Sequence, residues 1–146
     1  MHMMKKVLAG LAGVVALASS NAFAASVEIK GAGVAFAPAV VFANVGDTLA
    51  FRNMASHFVE SYPGMIPEGA APMKSDMGAD YDYNAVKEGI YVYKCPPHIG
   101  ARMAGVAVIG KPANAAATID KMLESASGEL KKVLGQVKEE LPKHGL

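Results

Sequence analysis

Three residues with metal-binding side chains lie close together in the second half of the chain. Cys95, His98 and Met103 follow one another as C-x2-H-x4-M within nine residues. One loop can therefore bring a thiol, an imidazole and a thioether to a common point. Taken singly, each residue has a structural explanation, since a lone Cys or Met on a strand is usually part of the core. Together, the three residues predict a metal site.

A second histidine completes the ligand set. His57 lies in a predicted loop, whereas the other two histidines are near the ends of the chain. Two imidazoles and a thiolate can form a trigonal plane with a weak methionine bond along its axis, which is typical of electron-transfer copper. Sulfur suits Cu(I) and imidazole suits Cu(II), so such a site reorganises little when an electron arrives. We predict one copper ion, cycling between Cu(I) and Cu(II), held by His57, Cys95, His98 and Met103.

Three other functions could use the same residue types. A copper storage or delivery protein would use exchangeable ligands, often methionines in close repeat, but the methionines here are scattered. A thiol enzyme would use Cys95 as nucleophile and a histidine as base, yet no hydrolase signature accompanies them. Structural zinc is disfavoured because methionine is a poor zinc ligand. Four protein ligands leave no open coordination position, which favours a carrier over an enzyme.

Residues 1–24 have the pattern of a secretory signal peptide. Two lysines precede the uncharged apolar run Val7–Ala18, and small residues surround a cleavage point after Ala24. The run is short for a membrane anchor, so we predict cleavage and a periplasmic location, without membrane attachment afterwards. An exported protein usually pairs its cysteines, so the single Cys95 predicts another occupant, such as a metal ion or a thioacyl group.

The predicted ligands are positioned by β-strands. Short apolar or alternating segments separated by turn residues predict a sandwich or small barrel with Greek-key connections. Segments 81–86 and 90–95 flank a Lys87-Glu88-Gly89 turn and are predicted to form a hairpin. Segment 62–77 is rich in Pro and Gly and predicts a long loop with one helical turn at most. The other predicted strands are 27–30, 34–36, 40–42, 48–51 and 103–109.

Two helices are predicted after Pro112. Apolar residues recur at helical spacing, with Asn114 and Ser127 as candidate caps and Pro142 as the end of the second helix. A short amphipathic helix is marginal alone, so we expect both to pack on the sandwich. A membrane-surface role is disfavoured by the mixed Lys and Glu residues of the polar face. The predicted organisation is a signal peptide (1–24), a copper-binding domain (25–112) and a helical extension (113–146).

The charge balance argues against a nucleic-acid-binding protein. The chain has 14 basic and 13 acidic residues, and no basic groove or arm is apparent. Removal of residues 1–24 takes away two lysines and leaves the mature chain nearly neutral. Local charge patches rather than net charge must therefore steer a partner. We expect a monomer that docks only transiently.

The C-x2-H-x4-M loop resembles the copper loop of plastocyanins and pseudoazurins. The rest of the chain is similar to pseudoazurins in the His57-to-Cys95 separation, in Val59–Ser61, in 65–70 and in the two final helices. This resemblance spans about 27–141. It implies an all-β cupredoxin fold, a Greek-key β-sandwich with two C-terminal α-helices. It further implies that His57, Cys95 and His98 are the equatorial ligands of the copper ion and that Met103 is the axial ligand.

The resemblance also implies a partner and a docking surface. Electrons are expected to pass through the exposed edge of His98, and the partner suggested is a copper nitrite reductase or a c-type cytochrome. An apolar patch is expected around that edge, lined by Pro38, Met65, Pro97, Ile99 and Ala101. A thin ring of basic residues is expected around the patch, comprising Lys74, Lys94, Arg102 and Lys111.

Two residues depart from the pseudoazurin pattern. Phe58 stands where pseudoazurins usually have Asn, so the side-chain strap between the two ligand loops should be missing or replaced. Pro96 stands where Thr is common. Because Pro96 and Pro97 both lack an N–H group, fewer donors are expected to reach the Cys95 sulfur.

Overall fold

The structure is a computed structural model that describes residues 23–101 and 103–146, and residues 99–101 by their backbone only. The predicted signal peptide thus lies almost entirely outside the described residues. Within the described part, no helix is both long and apolar enough to cross a bilayer.

In the described part of the chain, eight strands form two four-stranded sheets. The first sheet has the order β2-β1-β4-β6 and the second has the order β3-β8-β7-β5. The pairs β1–β4 and β3–β8 are parallel, and the other neighbours are antiparallel. The strands are β1 (Ser26–Ala32), β2 (Ala35–Ala37), β3 (Val40–Ala43), β4 (Thr48–Arg52), β5 (Glu60–Ser61), β6 (Tyr81–Asn84), β7 (Gly89–Lys94) and β8 (Ala104–Ile109). The predicted all-β sandwich is confirmed.

The core between the sheets is built from alternate residues of the facing strands. Ile29 and Phe51 of the first sheet are fully buried in one cluster with Tyr93 of the second. The rings of Phe51 and Tyr93 meet edge to face, with centroids 5.1 Å apart. Because strand side chains alternate between faces, Cys95 points into this same core two residues after Tyr93.

The two helices cover the outer face of the second sheet. They are α1 (Ala115–Ser125) and α2 (Gly128–Glu140). Val106 and Val108 of β8 share a buried cluster with Val133 and Val137 of α2. Since β8 is covered on both faces, its six residues are all buried, which explains an apolar run without alternation. Asn114 and Ser127 occupy the predicted cap positions, but neither side chain makes a capping hydrogen bond.

The predicted hairpin of 81–86 with 90–95 is wrong. Strand β6 pairs with β4 in the first sheet, whereas β7 pairs with β5 and β8 in the second. The connection between them crosses from one sheet to the other. Backbone bonds from Gly46 N–H to Ala85 and from Ala85 N–H to Asp47, 2.7 and 2.9 Å long, hold this crossing against the β3–β4 turn. Alternation specifies which face of a strand is buried, but it does not specify the neighbouring strand.

One strand boundary also differs from the sequence prediction. Strand β1 continues through Gly31 and Ala32 instead of ending at Lys30, because these residues pair with β2. The segment 62–77 is a loop, as predicted; its described residues contain no helix, and a bridge between Glu60 and Lys74 closes it.

Candidate metal centre

Cys95 and Met103 are held by a loop that folds back on itself. A 3₁₀ helix (Pro96–Ala101) follows Cys95 directly and returns the chain towards β8. Three backbone hydrogen bonds close this loop: His98 N–H to Cys95 O at 3.0 Å, Met103 N–H to His98 O at 3.2 Å, and Cys95 N–H to Met103 O at 3.1 Å. Cys95 and Met103 are both fully buried in the core between the sheets.

His57 comes from a separate loop, which joins β4 of the first sheet to β5 of the second. The turn is closed by a backbone bond of 3.0 Å from His57 N–H to Met54 O. On its other side, Gly78 N–H donates to His57 O at 2.9 Å. The side chain is only 5% exposed. His57 is therefore fixed in the core from both sides of its backbone.

The two loops bring three of the predicted ligands together. His57 Nδ1 lies 3.0 Å from His98 Nδ1, and Cys95 Sγ lies 3.4 Å from His98 Nδ1 and 3.8 Å from His57 Nδ1. A point equidistant from atoms so spaced lies about 2.0 Å from each, and metal–nitrogen and metal–sulfur bonds in comparable sites are about 2.0–2.3 Å. The donor atoms thus have the spacing of ligands around one metal ion.

The fourth predicted ligand lies at the end of the same loop as Cys95 and His98. Met103 is paired through its backbone with both Cys95 and His98, and its fully buried side chain belongs to the same core cluster as Cys95. One thiol, two imidazoles and one thioether are the soft and borderline donors that copper accepts in both oxidation states. The residues present fit a copper ion.

Comparisons with known proteins agree with this chemistry. The family described as copper binding proteins, plastocyanin/azurin family, matches residues 23–110. The chain belongs to this family. Pseudoazurin from Paracoccus pantotrophus is 34% identical over 138 residues, which cover 88% of this chain and 94% of that protein.

Solved pseudoazurin structures resemble this cupredoxin in fold. The crystal structure from Methylobacterium extorquens AM1 has a TM-score of 0.67 and 27% identity, covering 80% of this chain and 98% of that one. Pseudoazurin from Hyphomicrobium denitrificans has a TM-score of 0.65 and 34% identity, covering 76% and 94%. The predicted cupredoxin fold and the resemblance to pseudoazurins are confirmed.

The electrostatics of this cupredoxin's site favour the neutral form of the His57 ring. Burial lowers the pKa of His57, and the neighbouring His98 lowers it further, while a backbone hydrogen bond to Gly33 acts in the opposite direction. Metal binding needs a neutral imidazole. The lowered pKa of His57 therefore keeps its ring in the binding form at neutral pH.

The sulfur of Cys95 has few hydrogen-bond donors around it. Within residues 23–101 and 103–146, its hydrogen-bonding contacts are the Nδ1 atoms of His57 and His98, and no backbone N–H group reaches it. Pro96 and Pro97 contribute no N–H groups here. Electron density on the sulfur is one of the properties that set the potential of a thiolate-bound metal.

A side-chain hydrogen bond near Phe58 ties the His57 loop to β1, not to the Cys95–Met103 loop. Asn53 Nδ2 donates a hydrogen bond of 2.7 Å to Gly31 O and so ties the His57 loop to β1. Sequence reasoning missed both Asn53 and Gly31. The available signal was an Asn directly after a strand, since Asn tolerates the left-handed conformation (φ 58°) that Asn53 adopts.

The predicted docking surface is only partly supported. Pro38 and Pro97 are exposed, whereas Met65 is half-buried and lines a cavity shared with Met122 of α1. The side chains of Ile99 and Ala101, and Arg102 as a whole, lie outside the description. Lys94 lies over the ring of Tyr62, 4.9 Å from its centroid.

Lys111 does not belong to the predicted basic ring. It follows the end of β8 that is remote from Cys95, about 20 Å along a six-residue strand. Its ammonium donates to His144 O at 2.7 Å, and its backbone N–H donates to the Glu88 carboxylate. The apparent nearness of Lys111 to the ligands in sequence was misleading because β8 runs away from the site.

Proposed function

We propose that this chain is a one-electron carrier of the pseudoazurin type. His57, Cys95, His98 and Met103 would hold its copper ion. The observation that carries this proposal is the buried triangle of two nitrogens and one sulfur, with edges of 3.0, 3.4 and 3.8 Å.

The protein itself contributes a rigid binding site from which water is largely excluded. Copper supplies the chemistry, a one-electron change between Cu(I) and Cu(II). His57, Cys95 and Met103 are between 0 and 5% exposed, so water is excluded from that side. The loop around Cys95 is closed by three backbone bonds. Because the donors are held before and after the electron arrives, little reorganisation is required of the protein.

Electrons are exchanged through His98. Among the three grouped ligands, His57 and Cys95 are buried and His98 is partly exposed. Pro97 beside it is exposed. The imidazole of His98 is therefore the most direct connection between the buried site and a partner's surface. A small, transient interface suits a carrier that must release its partner after each transfer.

The competing functions fit the geometry less well. A thiol nucleophile must be reached by its substrate, yet Cys95 is fully buried. A delivery protein needs ligands that are easily displaced, yet these donors lie in the core and on a backbone-closed loop. With Met103 as a fourth ligand, no coordination position remains for a substrate. We therefore propose a carrier rather than an enzyme.

The finer physiological assignments rest on the family resemblance and on the sequence. We propose that residues 1–24 direct the chain to the periplasm and that the mature protein works there as a monomer. We further propose that it docks transiently with a copper nitrite reductase or a c-type cytochrome.

A copper titration of the mature protein tests the proposal. We expect an intense visible thiolate-to-copper charge-transfer band that saturates at one equivalent, and Cys95→Ser should abolish it. Thiol alkylation separates the rival functions: in the copper-loaded form Cys95 should resist the reagent. A colourless protein, or one whose loaded thiol is freely alkylated, would refute the ligand assignment.

A further inference from the structure

We propose that Asn53 and Gly31 are positioning residues that fix the ring of His57 for metal binding. This inference rests on the proposed copper site. It assigns a role to two residues that hold no metal themselves. Together they form a buttress, by which we mean the contact of Gly31 with both Asn53 and the His57 ring.

The first part of the buttress is the side chain of Asn53. Its amide donates to Gly31 O at 2.7 Å, although the two residues are 22 positions apart. The Asn53 backbone is left-handed, with a φ of 58°. A non-glycine residue in this conformation is uncommon, and Asn is among the residues that tolerate it best. The unusual turn aims the amide back at β1.

The second part is the absence of a side chain at Gly31. A Cβ at this position would lie 2.7 Å from Asn53 O and 2.7 Å from His57 Cδ2, and 3.3 Å from His57 Nε2. Real Cβ atoms do not approach other atoms this closely. The φ of Gly31 is ordinary, since it is not among the positive-φ glycines. Glycine is therefore needed here for close approach rather than for backbone freedom.

The two parts act on one ring. The Cδ2–Nε2 edge of His57 lies against Gly31, while Nδ1 on the other side faces His98 and Cys95. A ring held along one edge cannot tilt without moving its opposite nitrogen. Displacement of the Gly31 backbone would thus be transmitted to the ligand atom. Residues that orient a ligand in this way typically change metal affinity by about 10–100-fold when mutated.

Matched variants separate positioning from simple stabilisation. Asn53→Gly keeps the left-handed turn but removes the amide, and its control is Asn114→Gly. Asn114 has a φ of 59° and makes no side-chain capping bond. Gly31→Ala adds a methyl group against the ring. Its control is Gly135→Ala on α2, where a new Cβ meets nothing within 4 Å.

Copper release and ring order are measured on the full mature chain. We expect Asn53→Gly and Gly31→Ala to release Cu(I) to a chelator about 10–100-fold faster than wild type, with both controls unchanged. In the metal-free protein, the NMR signals of the His57 ring should shift or broaden in these two variants only. Asn53→Asp, which keeps the size but loses the donor, should behave like Asn53→Gly.

Two outcomes would overturn the buttress. The first is that Asn53→Gly and Gly31→Ala lower the melting temperature of the metal-free protein yet release copper at the wild-type rate. This result would show that the two residues only stabilise the fold. The second is an unchanged His57 ring spectrum in Asn53→Gly and Gly31→Ala. Failure of the proposed function looks different, because wild type would then bind no copper while the metal-free ring spectra still report on the buttress.

Discussion

The two loops that form the site are built in different ways. The Cys95–Met103 loop is continuous in sequence, and backbone hydrogen bonds among Cys95, His98 and Met103 close it. The His57 loop joins the two sheets, and its link to β1 is the Asn53 side chain. Local sequence therefore fixes one part of the ligand set, whereas tertiary contacts fix the other. This difference predicts that the two histidines will respond differently to the same mutation.

The largest effect is expected from removing each histidine. His57→Gly and His98→Gly should each abolish the visible band and weaken copper binding by more than about 100-fold, the upper range for residues that only support a ligand. Added imidazole should restore the band in His98→Gly, because that position is partly exposed, but not in His57→Gly, where the site is buried.

Optical titration with imidazole checks this prediction, and the two variants serve as controls for each other. Equal rescue of both would contradict the difference in burial between the two loops.

A smaller effect is expected from crowding β7, the strand that ends just before Cys95. A Cβ at Gly105 of β8 would lie 2.4 Å from the ring of Tyr93 on β7. Overpacking of this kind typically costs about 1–3 kcal/mol, so Gly105→Ala should lower the free energy of unfolding by that amount in urea denaturation. Gly135→Ala, in open space on α2, should not lower it. Equal stability of Gly105→Ala and wild type would show that Gly105 is not in close contact with the ring of Tyr93.

A mutation of Tyr93, two residues before Cys95, is expected to raise the free energy of unfolding instead of lowering it. The hydroxyl of Tyr93 is buried and has no hydrogen-bond partner among the described residues. Because an unpaired buried polar group costs about 1–3 kcal/mol, Tyr93→Phe should stabilise the protein by about 1 kcal/mol and leave the copper spectrum unchanged. Urea denaturation of the metal-free protein measures the change. A loss of stability would mean that the hydroxyl has a partner.

The last effect depends on pH and concerns Tyr83, which lies on β6 of the first sheet. Burial raises the pKa of Tyr83 to about 12, from an ordinary value of 10.0, and nearby Tyr91 adds to the shift. A raised phenol pKa means that the folded state prefers the protonated form. Its stabilising contribution is therefore complete below pH 10 and is lost as the pH rises to about 12.

Stability measured between pH 9 and 12 tests this contribution. The free energy of unfolding should fall more steeply with pH in wild type than in Tyr83→Phe, because the variant has no phenol at this position to ionise. At neutral pH, Tyr83→Phe should have a lower free energy of unfolding than wild type, because it loses the 2.6 Å hydrogen bond to Ala71 O. Parallel slopes in the two proteins would contradict the assigned pKa.

The contrast between the loops also explains what the sequence could predict. The spacing of Cys95, His98 and Met103 could predict that they lie close together, because a single loop holds all three. His57 could be added to them from its position in a predicted loop, and the structure groups its ring with Cys95 and His98. The hairpin of β6 with β7 failed because sheet membership depends on contacts with the distant β3–β4 turn. The role of Gly31 could not be predicted either, since it depends on the close approach of two chain segments that are far apart in sequence.

Redox titration of the mature, copper-loaded protein tests the central claim most directly. A single reversible one-electron wave is expected, with the visible band bleaching on reduction and returning on oxidation. Cys95→Ser, measured under the same conditions, should show neither. A wild-type protein that remains redox-silent, or whose wave survives the loss of Cys95, would contradict the assignment of a copper electron carrier.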